Sequence, residues 1–244
     1  MKKFLIFLIC SLFTPLLFGY EVFVHQPGKK DGAMCQAVRI KDGWFMTAAH
    51  CVLPQCQFAD CKAEIPPGIE TPKQNIYFFN EAQTNNARYD IALINFNTVN
   101  KLPFFREQKI LIIKNANFNE PKILNKRLRI YFSLGNNAGQ ISSQGTVFYG
   151  PKHKIIYTGE FGLFHGLSGA GVMTDNGELI SIVSAVAGQG GSAKFSVFSV
   201  FDERVESFLR SKIPGLTFTY LDQNDFIEAD EKANKEAFSL DNSK

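Results

Sequence analysis

Three short stretches carry residue types that can do chemistry together. The first is Trp44-Phe45-Met46-Thr47-Ala48-Ala49-His50-Cys51, an apolar run, two small residues, then a histidine. Imidazole titrates near neutrality, so it can take a proton and return it within one reaction cycle. The second is Asp90-Ile91-Ala92-Leu93-Ile94, a carboxylate where an apolar strand begins. An ionised acid there is unfavourable unless a cation or several donors satisfy it. The third is His165-Gly166-Leu167-Ser168-Gly169-Ala170-Gly171-Val172, a serine flanked by glycines. Glycines tolerate unusual backbone angles and let a substrate come close. The N–H groups of Gly166 and Ser168 can then converge on one point, as an oxyanion hole requires. A candidate base, acid and nucleophile are thus present in that order, although taken alone the histidine and the aspartate each have an ordinary structural reading.

The segments around these residues read as short strands and turns. Runs rich in β-branched and aromatic residues occupy 74–80, 90–96, 109–114, 128–134, 146–149 and 155–158. Gly, Asn, Asp or Pro bounds each of them. Gly171–Thr174, then Asp175-Asn176-Gly177, then Glu178–Val186 is a hairpin pattern, because Asn-Gly favours positive φ at a tight turn. A further strand is expected over 194–201. One helix stands out, after Asp202, with Val205, Phe208 and Leu209 on one face and Pro214-Gly215 as its stop. This spacing of strands predicts an all-β chain of barrels or a sandwich. Residues 97–106, with Pro103, are the candidate linker. Residues 221–244 hold seven acids and three bases and read as a polar acidic tail.

The chain has 244 residues, a 45% hydrophobic fraction and a formal charge of +3. That charge gives no basis for a nucleic-acid partner. Lys2 and Lys3 precede a nearly unbroken apolar run from Phe4 to Phe18, and Gly19 is a small residue at its end. Residues 1–19 therefore read as a secretory signal peptide, with no stable membrane anchor after its removal. Export makes the chain secreted or periplasmic. It leaves Cys35, Cys51, Cys56 and Cys61 in an oxidising compartment, where two disulfides are expected. Four cysteines allow three pairings. Their spacing fits no common zinc motif, so neither a metal nor a cofactor is expected.

The three stretches together resemble the trypsin/chymotrypsin family of serine proteases. Thr47-Ala48-Ala49-His50-Cys51 matches the family's histidine signature, and Asp90-Ile91-Ala92-Leu93 its aspartate motif. Gly166-x-Ser168-x-Ala170 departs from the family's G-D-S-G-G-P. G-x-S-x-G alone also suits the α/β-hydrolase elbow, but there the chain order is serine, acid, histidine. Here it is His50, Asp90, Ser168. The resemblance covers roughly residues 22–212. It implies two six-stranded antiparallel β-barrels with a short C-terminal helix. The boundaries implied are an N-terminal barrel over 20–100 carrying His50 and Asp90, and a C-terminal barrel and helix over 101–220 carrying Ser168. It implies a serine endopeptidase acting on a protein or peptide substrate, with Asp90 holding one tautomer of His50. It also implies a Cys35–Cys51 bridge, which leaves Cys56 for Cys61.

By the same resemblance Ile180–Val186 matches the strand that pairs with substrate backbone, so Ser184, Ala185 and Val186 are candidate substrate-binding residues. Ser184 falls at the serine that supports the triad aspartate. Gly162 falls at the floor of the specificity pocket and Ser196 near its wall. Neither is acidic, which points to uncharged, apolar side chains before the scissile bond. Glu160 would enter the pocket if the alignment moved by two residues. Leu167 stands where digestive members carry an aspartate that pairs with a freed amino terminus. Leucine cannot form that pair, so burial against the second barrel is expected to hold the loop instead, and the chain resembles the simpler bacterial branch. The competing reading is a catalytically silent protease-fold binding module.

Overall fold

The computed structural model describes residues 19–27, 32–57, 60–66, 68–79, 89–97, 107–114, 122–124, 126–134, 137–142, 147–149, 156–158, 166–187, 195–221 and 223–228. Residues 1–18 of the expected signal peptide over 1–19, Glu160, Gly162, His165 and nearly all of the candidate linker lie outside them. The described residues form two antiparallel-dominated sheets, as the double-barrel reading expects, with seven and eleven strands in place of six each. The first is a nearly closed barrel of seven strands in the order β5-β4-β1-β2-β3-β7-β6. These are β1 (Gly19–His25), β2 (Ala33–Lys41), β3 (Trp44–Thr47), β4 (Lys62–Ile65), β5 (Ile69–Pro72), β6 (Ile76–Phe78) and β7 (Ala92–Asn95).

Among the described residues the second sheet has eleven strands. They are β8 (Lys109–Ile113), β9 (Lys122–Leu124), β10 (Leu128–Leu134), β11 (Asn137–Ser142), β12 (Val147–Tyr149), β13 (Ile156–Thr158), β14 (Gly171–Thr174), β15 (Leu179–Ala187), β16 (Phe195–Phe198), β17 (Thr217–Leu221) and β18 (Phe226–Glu228). Two late strands extend this sheet. β17 pairs parallel with β8, and β18 pairs with β9. The start of the polar tail is thus part of the sheet. Leu221 and Phe226 are its buried residues, and alternation over so few residues was too short to announce a strand.

Strand periodicity explains the core. In β2, β3, β7 and β8 successive side chains point to opposite faces. Ala37, Phe45, Ala92 and Ile94 fill the first barrel, while Val38, Ile40, Met46 and Leu93 face Ile110, Ile112, Met173 and Ile182 of the second sheet. Leu111 and Ile113 turn the other way, into the second barrel. Both faces of these strands are buried, so they read as continuous apolar runs. The expected C-terminal helix is α2 (Glu203–Lys212), capped by Asp202, whose side chain accepts from the N–H of Arg204 and Val205. Val205 and Leu209 pack it into the layer between the sheets.

A helix not anticipated from the sequence, α1 (Ala49–Cys56), follows β3 and carries His50. Eight residues with Pro54 inside and no side-chain cap would be marginal alone. Two disulfides hold it: Cys35–Cys51 ties it to β2, and Cys56–Cys61 ties its end to the chain leading into β4. The bridges span 16 and 5 positions. Loop entropy assigns about 3 kcal/mol to the first and about 2 kcal/mol to the second. Urea unfolding of the Cys35→Ala/Cys51→Ala chain should therefore show the larger loss, against Cys56→Ala/Cys61→Ala. The reverse order would mean that native contacts, not chain entropy, set the contribution.

Candidate active site

Register brings the histidine and the aspartate together. Thr47 of β3 pairs with Ala92 of β7. Two residues further out on each strand, the Ala49 N–H meets the Asp90 carbonyl at 3.2 Å. The Asp90 carboxylate then faces the first turn of α1. Its Oδ1 accepts the His50 backbone N–H at 2.7 Å, and its Oδ2 lies 2.5 Å from His50 Nδ1. The Ser184 hydroxyl donates to the same Oδ2 at 2.7 Å, and the Ser199 hydroxyl donates to the Asp90 carbonyl at 3.3 Å. Asp90 is buried, and the His50 and Ser184 donors to its carboxylate meet the desolvation cost of its charge.

Ser184 reaches Asp90 because β15 is irregular. Its register against β16 shifts between Val183 and Ala185. A bulge of this kind re-aims a side chain. Ser184 is buried and Ala185 exposed, while Val186 and Ser196 pair across β15 and β16. Ser196 is itself buried.

The Asp90 hydrogen bond raises the His50 pKa above its ordinary value of 6.5, desolvation opposes the rise, and the Asp90 charge adds to it. The imidazole side chain is 48% exposed. With Nδ1–H directed at Asp90, Nε2 is the basic nitrogen. It lies 3.7 Å from Cys51 Sγ, and among the described residues it makes no hydrogen bond to the Ser168 hydroxyl.

The serine loop is held from both sheets. The Ser168 carbonyl accepts the Gln36 N–H at 2.8 Å, from β2. The Gly169 N–H donates to Val183 at 2.7 Å, and Ala170 donates back to Leu167 at 2.9 Å. Leu167 is buried among Ile130, Phe132, Ala170 and Val172, the apolar anchorage expected of it. No acceptor among the described residues takes the N–H of Gly166 or Ser168. Gly166 and Gly169 both have positive φ, +98° and +86°.

The two glycines differ in what surrounds them. A Cβ at Gly166 would meet nothing within 4 Å, whereas one at Gly169 would lie 2.0 Å from the Gln36 carbonyl and 2.4 Å from Thr47 Oγ1. Gly166→Ala should therefore cost only left-handed backbone strain, about 1–2 kcal/mol. Gly169→Ala must also push the loop off β2, so it should destabilise more and remove serine reactivity. Thermal unfolding and active-site titration of the pair check this, and equal losses would refute it.

Gln36, Thr47 and Ser199 shape the site without having been singled out. Thr47 lies inside the histidine signature; nothing local marks the other two. Among the described residues, two groups bring metal-binding atoms together. In Cys35, His50 and Cys51 the sulfurs are bridged to each other. In His25, Glu64 and Glu70, Lys62 Nζ already bonds Glu70 at 2.8 Å.

No protein-family model matches the chain, and no curated protein matches it. Solved structures do. A protease from Arthrobacter nicotinovorans is similar over 82% of this chain and 96% of its own, with 14% identity and a TM-score of 0.53. A thermostable serine protease from an extremophilic microorganism is similar over 78% and 94%, with 14% identity and a TM-score of 0.56. An inactivated protease paralogue of the scabies mite is similar over 80% and 93%, with 17% identity and a TM-score of 0.55. At these identities the likeness shows the fold.

Proposed function

On the trypsin/chymotrypsin-like protease fold that the chain adopts, we propose an exported serine endopeptidase that cleaves peptide bonds through an acyl-enzyme on Ser168. The observation that carries this is the buried Asp90 carboxylate, bonded at once to His50 Nδ1, the His50 backbone N–H and Ser184. That arrangement selects the tautomer with a lone pair on Nε2. Nε2 takes the Ser168 proton as Oγ attacks the scissile carbonyl, and Asp90 stays ionised to stabilise the imidazolium. The oxyanion accepts the N–H groups of Gly166 and Ser168. The imidazolium then protonates the leaving amine, and water repeats the sequence on the ester.

The edge of β15 supports a peptide substrate. β14 pairs with β15 only as far as Ile182, while β16 covers its other side through Ala187. The backbone over 184–186 can therefore take an extended substrate strand. A preference for uncharged, apolar residues before the scissile bond rests on Gly162 and Ser196. Export is supported by the apolar leader and by the two disulfides, which persist in oxidising compartments. Among the described residues no helix is long and apolar enough to cross a membrane.

One observation favours the silent binding module: the Nε2–Ser168 hydrogen bond is not formed. Such bonds are often long until substrate binds. Reaction with a fluorophosphonate followed by peptide mapping decides between the two. Stoichiometric modification at Ser168 is the expected result; an unmodified Ser168 would leave the binding module as the correct reading.

A further inference from the structure

Gln36 is fully buried in β2, and every polar group it has is bonded. Its backbone N–H donates to the Ser168 carbonyl at 2.8 Å, and its carbonyl accepts the Thr47 hydroxyl at 2.6 Å. Its side chain reaches across to β10. Nε2 donates to the Ser133 carbonyl at 2.9 Å, and Oε1 accepts the Ser133 N–H at 2.7 Å. β10 in turn pairs with β14, with Tyr131 opposite Gly171, three residues after Ser168. One residue of the first barrel thus grips the second at two places, the serine loop and the strand that backs it.

The neighbours of Gln36 tie it to the base as well. Cys35 is bridged to Cys51, which follows His50. Thr47 lies three residues before His50. The amide suits this position because it offers one donor and one acceptor in a plane. It closes a two-bond ring on Ser133, as a neighbouring strand would. An aliphatic side chain would withdraw both bonds.

We propose that Gln36 is a positioning residue that sets the Ser168 loop against His50, an inference that rests on the hydrolytic reading above. Attack on a bound carbonyl tolerates little misplacement: about 1 Å costs on the order of 10²-fold in rate. Thr47, Ser133 and Ser168 bring no charge to position 36. Among the described residues, Glu21 of β1 is the titratable group directly opposite it in the strand pairing.

Two variants test this through the rate of inactivation by diisopropyl fluorophosphate, each expressed relative to wild type at the same pH. Measurements run from pH 5.5 to 8, well below the thermal midpoint, with near-UV circular dichroism on every sample. Gln36→Met removes both side-chain bonds at all pH values. Gln36→Glu keeps both while its carboxyl is protonated, and loses the donor to the Ser133 carbonyl when it ionises. Burial and Glu21 both favour the protonated form, which raises its titration above the ordinary carboxylate range. Dividing by the wild-type rate cancels the titration of His50.

Gln36→Met should react about tenfold slower throughout, with its near-UV spectrum retained. Gln36→Glu should stay within about twofold of wild type at pH 5.5 and fall about tenfold by pH 8. If Gln36→Met does not fold, Gln36→Glu prepared at pH 5.5 and jumped to pH 8 carries the test. Wild-type rates in both variants, with only a lower thermal midpoint, would make Gln36 a structural staple and overturn the proposal. A Gln36→Glu ratio that stays flat while its carboxyl ionises overturns it too. Wild-type protein that does not react at Ser168 defeats the hydrolytic reading itself, and this inference with it.

Discussion

Replacing Ser168 by alanine should reduce peptide hydrolysis by about 10⁴-fold or more, equivalent to about 5.5 kcal/mol of lost transition-state stabilisation. The fold should hardly notice. Ser168 is anchored through its carbonyl on Gln36, a backbone bond that alanine keeps. Its hydroxyl bonds to nothing among the described residues, so removing it strands no buried partner. Stability should stay within about 0.5 kcal/mol of wild type. Paired measurements of turnover and urea unfolding test both halves. Undiminished hydrolysis would show that Ser168 is not the nucleophile. A large loss of stability would show that the hydroxyl has a structural task.

Asp90→Asn should cost about 10⁴-fold in kcat for a different reason. The carboxylate accepts at both oxygens, from His50 Nδ1, the His50 backbone N–H and Ser184. An amide has one acceptor oxygen. If that oxygen keeps the backbone N–H, the NH₂ group faces Nδ1 and selects the tautomer with its proton on Nε2. That nitrogen can no longer take the serine proton. The pH profile supplies a second signature. Asp90 raises the His50 pKa, so the acid limb of wild-type kcat/KM should lie above 6.5. In Asp90→Asn the residual activity should have that limb at lower pH. Because folding favours the imidazolium, the contribution of this pair to stability is complete below about pH 6.5 and is lost as pH rises through the folded-state pKa. An unmoved acid limb, or a kcat within tenfold of wild type, would count against the pairing as the source of base strength.

The sequence was most legible where short-range pattern controls structure. The run Ile110–Ile113 alternates between two cores, and its β-branched residues already marked a strand. Asn176-Gly177 announced the turn between β14 and β15, and Gly177 has the positive φ such a turn needs. Asp202 announced the start of α2, and its carboxylate does accept the first N–H groups. The strands after α2 were not legible, because only pairing with β8 and β9 makes strands of Thr217–Leu221 and Phe226–Glu228. α1 was not legible either. Its bridges run to Cys35 and Cys61, outside the helix, and no local pattern shows them.

The sequence by itself determined which groups are available, and in what order: His50 behind two alanines, Asp90 ahead of an apolar strand, Ser168 among glycines. It did so because side-chain chemistry and turn preference are local properties. Only the tertiary structure decided how those groups are held. Ser184 donates to a carboxylate 94 positions away because a bulge in β15 aims it there. Gln36 meets Ser133, 97 positions away, because two barrels pack with one register. Gly169 must be glycine because β2 passes within 2.0 Å of where a Cβ would sit. A shift of one residue in any of these strands would turn the same side chains to the opposite face. The register is set by the packing of both cores at once, and no window of the sequence contains both.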